Sequence, residues 1–266
     1  MCELLGISSD HRIILNQYLQ TFGLRSVRHP NGWGYASFEG SGSACGGNRK
    51  CVSLIKEPGT AARSPLFRAM LQTEVCTSCA MAHIRYATVG NVEYANCHPF
   101  SERTANGRQI TLIHNGTVFQ APELNRFLKL QNGETDSERI LLYMVDGINR
   151  LEQERRRELT GKERLRFFDS VITGLSAGNK LNLIVFDGEY LYVHTNCRGT
   201  LSFLKRDGSV LVATEPLSDE EWKPFPLFRL CAFQDGALVY EGSPHAFEYV
   251  PNEEDLKNLY LAYACL

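Results

Sequence analysis

The sequence lacks the features that mark several large classes of protein. Its apolar runs fall far short of the ~20 residues that a transmembrane helix needs, and no apolar signal-peptide core follows the N-terminus. Lysine and arginine together number 28 against 30 acidic residues, so there is no excess of positive charge to bind nucleic acid. No GxGxxG or Walker pattern occurs. We therefore expect no membrane span, no secretion signal, no nucleic-acid partner and no cofactor.

The nine cysteines do not form the evenly paired framework of a small secreted disulfide protein. The expected compartment is therefore the reducing cytoplasm. Cys76 and Cys79 have the CxxC spacing of a zinc site, and Cys97-His98 follows later in the chain. Cys79 also begins an apparent strand with alternating side chains, which favours ordinary core or surface cysteines. We expect no metal ion to bind here.

The first half of the chain is predicted to contain mainly strands. Residues 2–7 form a predicted strand, and Asp10 is expected to cap a helix that continues to Phe22. A buried strand is predicted at residues 110–114 (ITLIH) and is halted by an Asn-Gly pair. With 43% hydrophobic residues over 266 positions, a large core is available.

Two helices and several hairpins are predicted in the second half. Thr135 and Glu138 have capping-box spacing at the start of the first helix, and the second carries Leu165, Phe168 and Ile172. After residue 180 the apolar period changes to that of strands, and three Asp-Gly pairs predict hairpin turns, at residues 187–188, 207–208 and 235–236. This order favours an α+β fold with antiparallel sheets over a parallel βαβ arrangement.

Cys2 stands directly after Met1, and this position can combine two reactive groups in one residue. If Met1 is removed, the residue has both a thiol and a free α-amine. Such an amine titrates near pH ~7.7–8.0, so part of it is unprotonated at neutral pH and takes up a proton. A thiol with a base beside it attacks a carbonyl carbon as the thiolate. Cys2 is therefore a candidate nucleophile that carries its own base.

Four further segments place polar side chains at predicted turns or at the ends of predicted elements. They are HPNGWG at 29–34, HIRYAT at 83–88, HNG at 114–116 and TDSE at 135–138. Each signal is weak alone, because Asn-Gly is common in turns and TDSE is a common helix cap. Their order behind Met-Cys is the informative feature.

Together these motifs resemble those of the class II glutamine amidotransferases. The resemblance covers roughly residues 2–240 and extends to ATEPLSDEEWKPFP at 213–226. It implies the fold of the N-terminal-nucleophile (Ntn) hydrolases, a four-layer αββα sandwich of two antiparallel sheets between helices. It also implies a single amidotransferase domain over residues 1–266, with a short C-terminal tail after about residue 245.

The resemblance assigns the catalytic roles to three residues. Cys2 attacks the side-chain amide of a glutamine-like substrate and forms a γ-glutamyl thioester. Asn115 Nδ2 and the backbone N–H of Gly116 supply the donors for the developing oxyanion. The Cys2 amine then protonates the departing ammonia or amine, and water hydrolyses the thioester.

The same resemblance assigns the substrate-binding roles. Arg85 offers a bidentate fork for the α-carboxylate, and Asp136 offers a counter-charge for the α-ammonium group. Tyr86 and Thr88 are expected to contact the substrate as well. Tyr86 and Val89 stand where larger amidotransferases often have Trp and His, which changes the shape expected for this pocket.

Three functional hypotheses stay open at this point. Members that make amino sugars, nucleotides or glutamate carry a long synthase domain behind the glutaminase half, whereas this chain ends at Leu266. The leading hypothesis is a stand-alone amidohydrolase that acts on glutamine or another γ-glutamyl amide. The second is a glutaminase subunit that donates ammonia to a separate synthase, and the third is a catalytically silent γ-glutamyl-binding or assembly protein. The expected partners are the small-molecule substrate and either a separate synthase or further copies of the chain.

Overall fold

The protein is described by a computed structural model over residues 2–40, 50–87 and 90–251. Within these ranges the strands are β1 (Glu3–Ile14), β2 (Trp33–Glu39), β3 (Cys51–Glu57), β4 (Cys76–Ile84), β5 (Phe100–Arg103), β6 (Gln109–Thr117), β7 (Lys180–Phe186), β8 (Leu191–His194), β9 (Ser202–Arg206), β10 (Ser209–Ala213), β11 (Lys223–Pro224), β12 (Cys231–Gln234) and β13 (Ala237–Glu241). The α-helices are α1 (Asn16–Arg25), α2 (Pro65–Gln72), α3 (Asp136–Arg155) and α4 (Gly161–Ser176). Short 3₁₀ helices cover Ala61–Arg63, Tyr94–Asn96 and Pro122–Phe127.

The strands form two sheets in which neighbouring strands pair antiparallel. The seven-stranded sheet, here called sheet A, has the order β11-β9-β10-β1-β4-β2-β3. The six-stranded sheet, here called sheet B, has the order β13-β12-β8-β7-β6-β5. Strand β1 is central in sheet A, because β10 pairs with it on one side and β4 on the other. The N-terminal strand is therefore held along both of its edges.

Three apolar clusters show that the molecule has four layers. Leu5, Ile7 and other residues of sheet A pack with side chains of α1 and α2 on one outer face. Leu112, Leu183 and other residues of sheet B pack with α3 and α4 on the opposite outer face. A third cluster, which includes Leu4 of β1, fills the space between the sheets. The predicted αββα sandwich is confirmed.

Side-chain alternation along the strands separates the inter-sheet face from the helix-covered faces. In β7, Leu181 and Leu183 lie in the cluster under α3 and α4, while Ile184 lies in the inter-sheet cluster. A Cβ added to Gly6 of β1 would come within 2.8 Å of the Ile184 side chain. Strands β1 and β7 therefore face each other across the inter-sheet layer.

The predicted helix from Asp10 to Phe22 is wrong in its first part. Strand β1 continues through Ile14, and α1 begins only at Asn16. The Asp10 N–H donates to the carbonyl oxygen of Gly208 at 2.9 Å, so a neighbouring hairpin captures the residue that was expected to cap the helix. Pairing with β4 also resumes at Ile13 after a register shift. Long-range sheet pairing outweighs the local capping signal here.

The later elements agree with the sequence analysis. Thr135 accepts a hydrogen bond from the Glu138 N–H at 3.2 Å and so caps α3. The pairs at 187–188, 207–208 and 235–236 lie in the connections β7–β8, β9–β10 and β12–β13. After β13, the Tyr249 N–H donates to the Asn196 carbonyl at 2.9 Å, which ties this segment to the connection that follows β8. In the part of the chain that the structure describes, the helices are too short or too polar to cross a membrane.

Candidate functional site

Cys2 immediately precedes β1, and its thiol meets the backbone just beyond the end of β4. The Tyr86 N–H donates to Cys2 Sγ at 3.3 Å, and the thiol donates to the Tyr86 carbonyl oxygen at 3.4 Å. Burial raises the pKa of the Cys2 thiol, whereas the Tyr86 N–H and the positive charges of Arg85 and Lys180 act in the opposite direction. The candidate nucleophile is therefore half-buried and lies beside two cationic side chains.

Arg85 is almost completely buried at the end of β4, with 2% of its surface exposed. Its guanidinium donates to the carbonyl oxygens of Gly90 and Asn91 at 2.9 and 2.8 Å. The Asn91 N–H in turn donates to the Glu134 carboxylate at 2.7 Å. Arg85 therefore organises the connection that follows β4 and links it to the residues just before α3.

Asn115 and Gly116 lie near the end of β6, where one has an unpaired side-chain donor and the other has no room for a side chain. Asn115 is 2% exposed, and its Nδ2 atom has no hydrogen-bond partner among the described residues. An unpaired buried amide donor is costly unless a ligand or water satisfies it. Gly116 has no room for a side chain, since an added Cβ would lie 1.9 Å from the carbonyl oxygen of Lys180. Only glycine fits at this position.

Asp136 is the first residue of α3 and is 9% exposed. One of its carboxylate oxygens accepts the Val118 N–H at 2.7 Å, and the other accepts the Ser137 hydroxyl at 3.3 Å. Val118 follows the end of β6 closely, so Asp136 lies beside the strand that carries Asn115.

The sheet registers bring these residues to one end of the sandwich. In sheet A, Glu3 lies opposite Ile84, so the start of β1 and the end of β4 share one end. In sheet B, Thr117 lies opposite Lys180, so the end of β6 and the start of β7 share one end.

A hydrogen bond across the sandwich shows that these two ends coincide. His83 Nε2 donates to the carbonyl oxygen of His114 at 3.1 Å and thereby joins β4 to β6. Cys2 and Arg85 from sheet A and Asn115 from sheet B therefore lie at the same end of the inter-sheet layer.

Two buried histidines complete this end of the inter-sheet layer. The rings of His83 and His98 stack with centroids 4.0 Å apart. Neither His98 nitrogen has a hydrogen-bond partner among the described residues, and the same is true of His83 Nδ1. Burial lowers the pKa of His83 to about 3, so the ring is neutral at physiological pH. Both rings are therefore uncharged near neutral pH.

The remaining predicted substrate contacts differ in how far the structure describes them. The Tyr86 side chain is 43% exposed and packs edge-on against His29, with ring centroids 5.7 Å apart. Thr88 and Val89 lie outside the described residues. The Tyr86 backbone, rather than its ring, makes the hydrogen bonds to Cys2 described above.

The HPNGWG turn contacts the segment that follows β4 through Asn31 and Gly32. Gly32 accepts the Arg85 N–H at 2.8 Å, and Asn31 Oδ1 accepts the Ala87 N–H at 3.0 Å. Trp33 is 2% exposed and packs edge-on against Phe67, in the core under α1 and α2. The tryptophan therefore belongs to the core.

The CxxC pair occupies one extended strand. Cys76 and Cys79 begin and continue β4, and Cys79 lies in the inter-sheet cluster. Residues three apart in a strand point to opposite faces, so the two thiols are not directed at one ion. Over residues 2–40, 50–87 and 90–251, no group of three or more potential metal-ligating side chains was found.

Lys180 also belongs to this end of the sandwich, although the sequence analysis did not single it out. It is 7% exposed and begins β7, where its carbonyl oxygen approaches Gly116. Burial lowers the pKa of Lys180, and the thiols of Cys197 and Cys2 act against that decrease. A sequence signal did exist, since Lys180 and Asn182 are polar residues at alternate positions of an otherwise apolar strand.

Comparisons with known proteins agree with this architecture. A protein of Methanocaldococcus jannaschii, described only as uncharacterized, is 30% identical over 90% of this chain and 71% of its own length. A solved structure from Pseudomonas aeruginosa, titled as a predicted glutamine amidotransferase, has a TM-score of 0.59 at 21% identity and covers 90% of this chain and 100% of its own. The glutamine phosphoribosylpyrophosphate amidotransferase of B. subtilis has a TM-score of 0.60 at 18% identity and covers 94% of this chain and 50% of its own.

The structural likenesses concern the fold, while the family follows from the sequence. The family model described as glutamine amidotransferases class-II matches residues 1–208, which include all five motifs from Met-Cys to TDSE. The match also contains both sheet ends at which Cys2, Arg85, Asn115 and Asp136 lie. A chain with this matched sequence and a four-layer sandwich of two antiparallel sheets belongs to the class II glutamine amidotransferase family.

Proposed function

We propose that the protein hydrolyses the side-chain amide of glutamine or of another γ-glutamyl amide, with Cys2 as its N-terminal nucleophile. The observation that carries this proposal is the unpartnered, buried Asn115 Nδ2 at the end of the inter-sheet layer where Cys2 lies. Enzymes place such donors where negative charge develops in the transition state. A purely structural asparagine at this depth would be expected to have its donor satisfied.

In the proposed reaction, Cys2 Sγ attacks the amide carbon and the carbonyl oxygen becomes an oxyanion. Asn115 Nδ2 and the Gly116 N–H stabilise that oxyanion. The Cys2 amine passes the thiol proton to the departing ammonia or amine. Water then cleaves the thioester, releases glutamate and restores the thiol.

In the proposed complex, the polar groups around Cys2 recognise the amino-acid end of the substrate. Asp136 at the start of α3 pairs with the α-ammonium group. Arg85 binds the α-carboxylate with donors that would be shared with, or withdrawn from, the carbonyl oxygens of Gly90 and Asn91. We propose Tyr86 and Thr88 as further substrate contacts.

The test begins with the N-terminus. Intact mass spectrometry first establishes whether the purified protein starts at Cys2, because an attached Met1 turns the Cys2 nitrogen into an amide that cannot act as the base. Release of ammonia or amine is then measured for glutamine and a panel of larger γ-glutamyl amides. Hydrolysis of several members by the Cys2 form alone is expected.

Cys2→Ala is the decisive variant and should lose turnover and labelling by a glutamine-mimicking diazo ketone. Cys76→Ala, at another half-buried free cysteine, is the matched control and should keep both. A folded Cys2→Ala protein that still hydrolyses a γ-glutamyl amide would overturn the proposed mechanism. Strict preference for glutamine, with turnover only after a second protein is added, would favour an ammonia-donating subunit instead.

A further inference from the structure

The start of β7 places a buried lysine in the same layer as the proposed nucleophile. Strand alternation puts Lys180 on the same face of sheet B as Ile184, which lies in the inter-sheet cluster. Lys180 also shares its face with Asn182, which lies directly opposite Asn115 in the neighbouring strand β6. The lysine side chain therefore leaves the sheet toward sheet A, on the side where Cys2 lies.

The position of Lys180 along β7 also brings it to the end of the layer at which Cys2 lies. Gly6 of β1 faces Ile184 of β7 across the layer. From that contact, β1 leads back to Cys2 and β7 leads back to Lys180, over the same number of residues and toward the same end of the sandwich. The two side chains thus reach the end of the inter-sheet layer from opposite sheets.

Burial makes the charge of Lys180 consequential. Only 7% of the residue is exposed, and an ammonium group at that depth interacts strongly with any anion nearby because little water screens it. The electrostatic influence is mutual: the thiolates of Cys197 and Cys2 favour the charged form of Lys180, and the charges of Arg85 and Lys180 favour the thiolate of Cys2.

We propose, on the basis of the proposed role of Cys2 as nucleophile, that Lys180 is a positioning residue whose ammonium group favours the Cys2 thiolate from across the inter-sheet layer. The residue bonds to no substrate atom in this proposal. Its contribution is to increase the fraction of Cys2 that is deprotonated, and thereby reactive, at neutral pH.

The test measures the reactivity of the Cys2 thiol as a function of pH rather than enzymatic turnover. Alkylation of Cys2 by iodoacetamide is followed from pH 5 to 10 by peptide mass spectrometry, on protein whose first residue has been determined. Lys180→Met removes the charge at similar length, and Lys180→Arg keeps it. Cys76 serves as an internal reference, because it is free and half-buried in the same molecule.

We expect Lys180→Met to move the midpoint of Cys2 alkylation upward by about one pH unit, with a rate at pH 7 that is about tenfold lower. Lys180→Arg should restore the midpoint, and Cys76 should react alike in all three proteins. Lys56→Met is the control for loss of a half-buried lysine elsewhere in the molecule and should leave the Cys2 midpoint unchanged. An unshifted midpoint in folded Lys180→Met, or a shift that Lys180→Arg does not correct, would overturn the proposal.

A reciprocal measurement applies if Lys180→Met does not fold. Cys2→Ala removes the thiol, and the titration of the Lys180 ammonium is followed by NMR with its signal assigned through Lys180→Arg. Since coupling between two sites is mutual, the lysine should titrate at lower pH in Cys2→Ala than in wild type. An unchanged lysine titration would refute the coupling. Absence of γ-glutamyl hydrolysis, with both titration shifts present, would count against the proposed function and leave the role of Lys180 supported.

Discussion

Two buried polar regions of this protein differ in how completely their hydrogen bonds are satisfied. In the first, Asp187 is fully buried and accepts from Arg164 Nε at 2.6 Å, from the Tyr192 hydroxyl at 2.8 Å and from the Glu189 and Tyr190 N–H groups at 2.9 and 2.8 Å. Both carboxylate oxygens are used. We call this set of five residues the Asp187 network.

The second region is the end of the inter-sheet layer around Cys2. There, Asn115 Nδ2, His83 Nδ1 and both nitrogens of His98 have no hydrogen-bond partner among the described residues. The comparison shows that burial of polar groups is not itself a functional signal. A saturated network stabilises a fold, whereas a buried donor that is left open has capacity for a ligand.

The largest effect should follow from breaking the Asp187 network. Asp187→Ala removes the fully buried partner of Arg164, which is 2% exposed and keeps only the partly exposed Glu189 as an ion-pair partner. We expect the free energy of unfolding in urea to fall by about 3–5 kcal/mol. Asp146→Ala, which removes surface ion pairs with Arg126 and Arg150, is the control and should cost about 1 kcal/mol or less. If the free energy of unfolding falls by a similar amount in both variants, the Asp187 network contributes no more than a surface ion pair.

Asn115→Ala should show the opposite profile, a large kinetic effect with little loss of stability. Removal of one oxyanion donor lowers kcat by about 10²–10³. Asn182 lies directly opposite and provides a matched control, because its amide donates to Thr200 and accepts from Thr195. Asn182→Ala should lose stability while keeping most of its kcat. If Asn115→Ala retains wild-type kcat toward a γ-glutamyl amide, Asn115 is not an oxyanion donor.

Acidic pH should destabilise the protein through the neutral buried histidines. The pKa of His83 is lowered to about 3 by burial, while its unfolded value is about 6.5. As pH falls below about 6.5 the unfolded chain binds a proton that the folded ring does not, so stability decreases with decreasing pH. At pH 5 the effect of this single histidine is about 2 kcal/mol. The free energy of unfolding in urea, measured between pH 7 and 5, should depend less on pH in His83→Gln than in wild type. Equal pH dependence in the two proteins would contradict this prediction.

The smallest effects concern two helix caps. Thr135 caps α3, which begins with Asp136, while Thr160 caps α4, near the Asp187 network. Thr135→Ala and Thr160→Ala should each lower the free energy of unfolding by about 1 kcal/mol. Only Thr135→Ala should also raise KM, because it releases the helix start that holds Asp136. An equal change of KM in both variants would show that the caps do not distinguish the two regions.

Local patterns were sufficient for much of this fold. Asp-Gly pairs mark the turns of hairpins because they supply the backbone conformations that tight turns need, and Thr135 caps α3 through its own side chain. Asp10 failed as a predictor because a hydrogen bond to Gly208, nearly 200 residues away, determined its conformation. The residues next to Asp10 in sequence do not predict such a distant partner.

The site shows the same limit. Motif order and a family resemblance predicted Cys2, Arg85, Asn115 and Asp136 as site residues, but their meeting at one end of the sandwich depends on strand register. Lys180 and Asn182 alternate as polar residues at the start of β7, but this short pattern does not reveal that β7 pairs with β6 beside Asn115. The unpartnered state of Asn115 Nδ2 is likewise a property of packing and has no sequence signature.

The central place of β1 in sheet A has a consequence for biosynthesis. Its partner β10 pairs Ala213 with Leu5 and is therefore synthesised about 200 residues after the N-terminal strand. At about 5–20 residues per second, one edge of the N-terminal strand lacks its partner for roughly 10–40 s. The proposed removal of Met1 would have that interval in which to act on a strand not yet enclosed by its sheet. Synthesis rate and aminopeptidase level would then set the fraction of chains that mature with a working nucleophile.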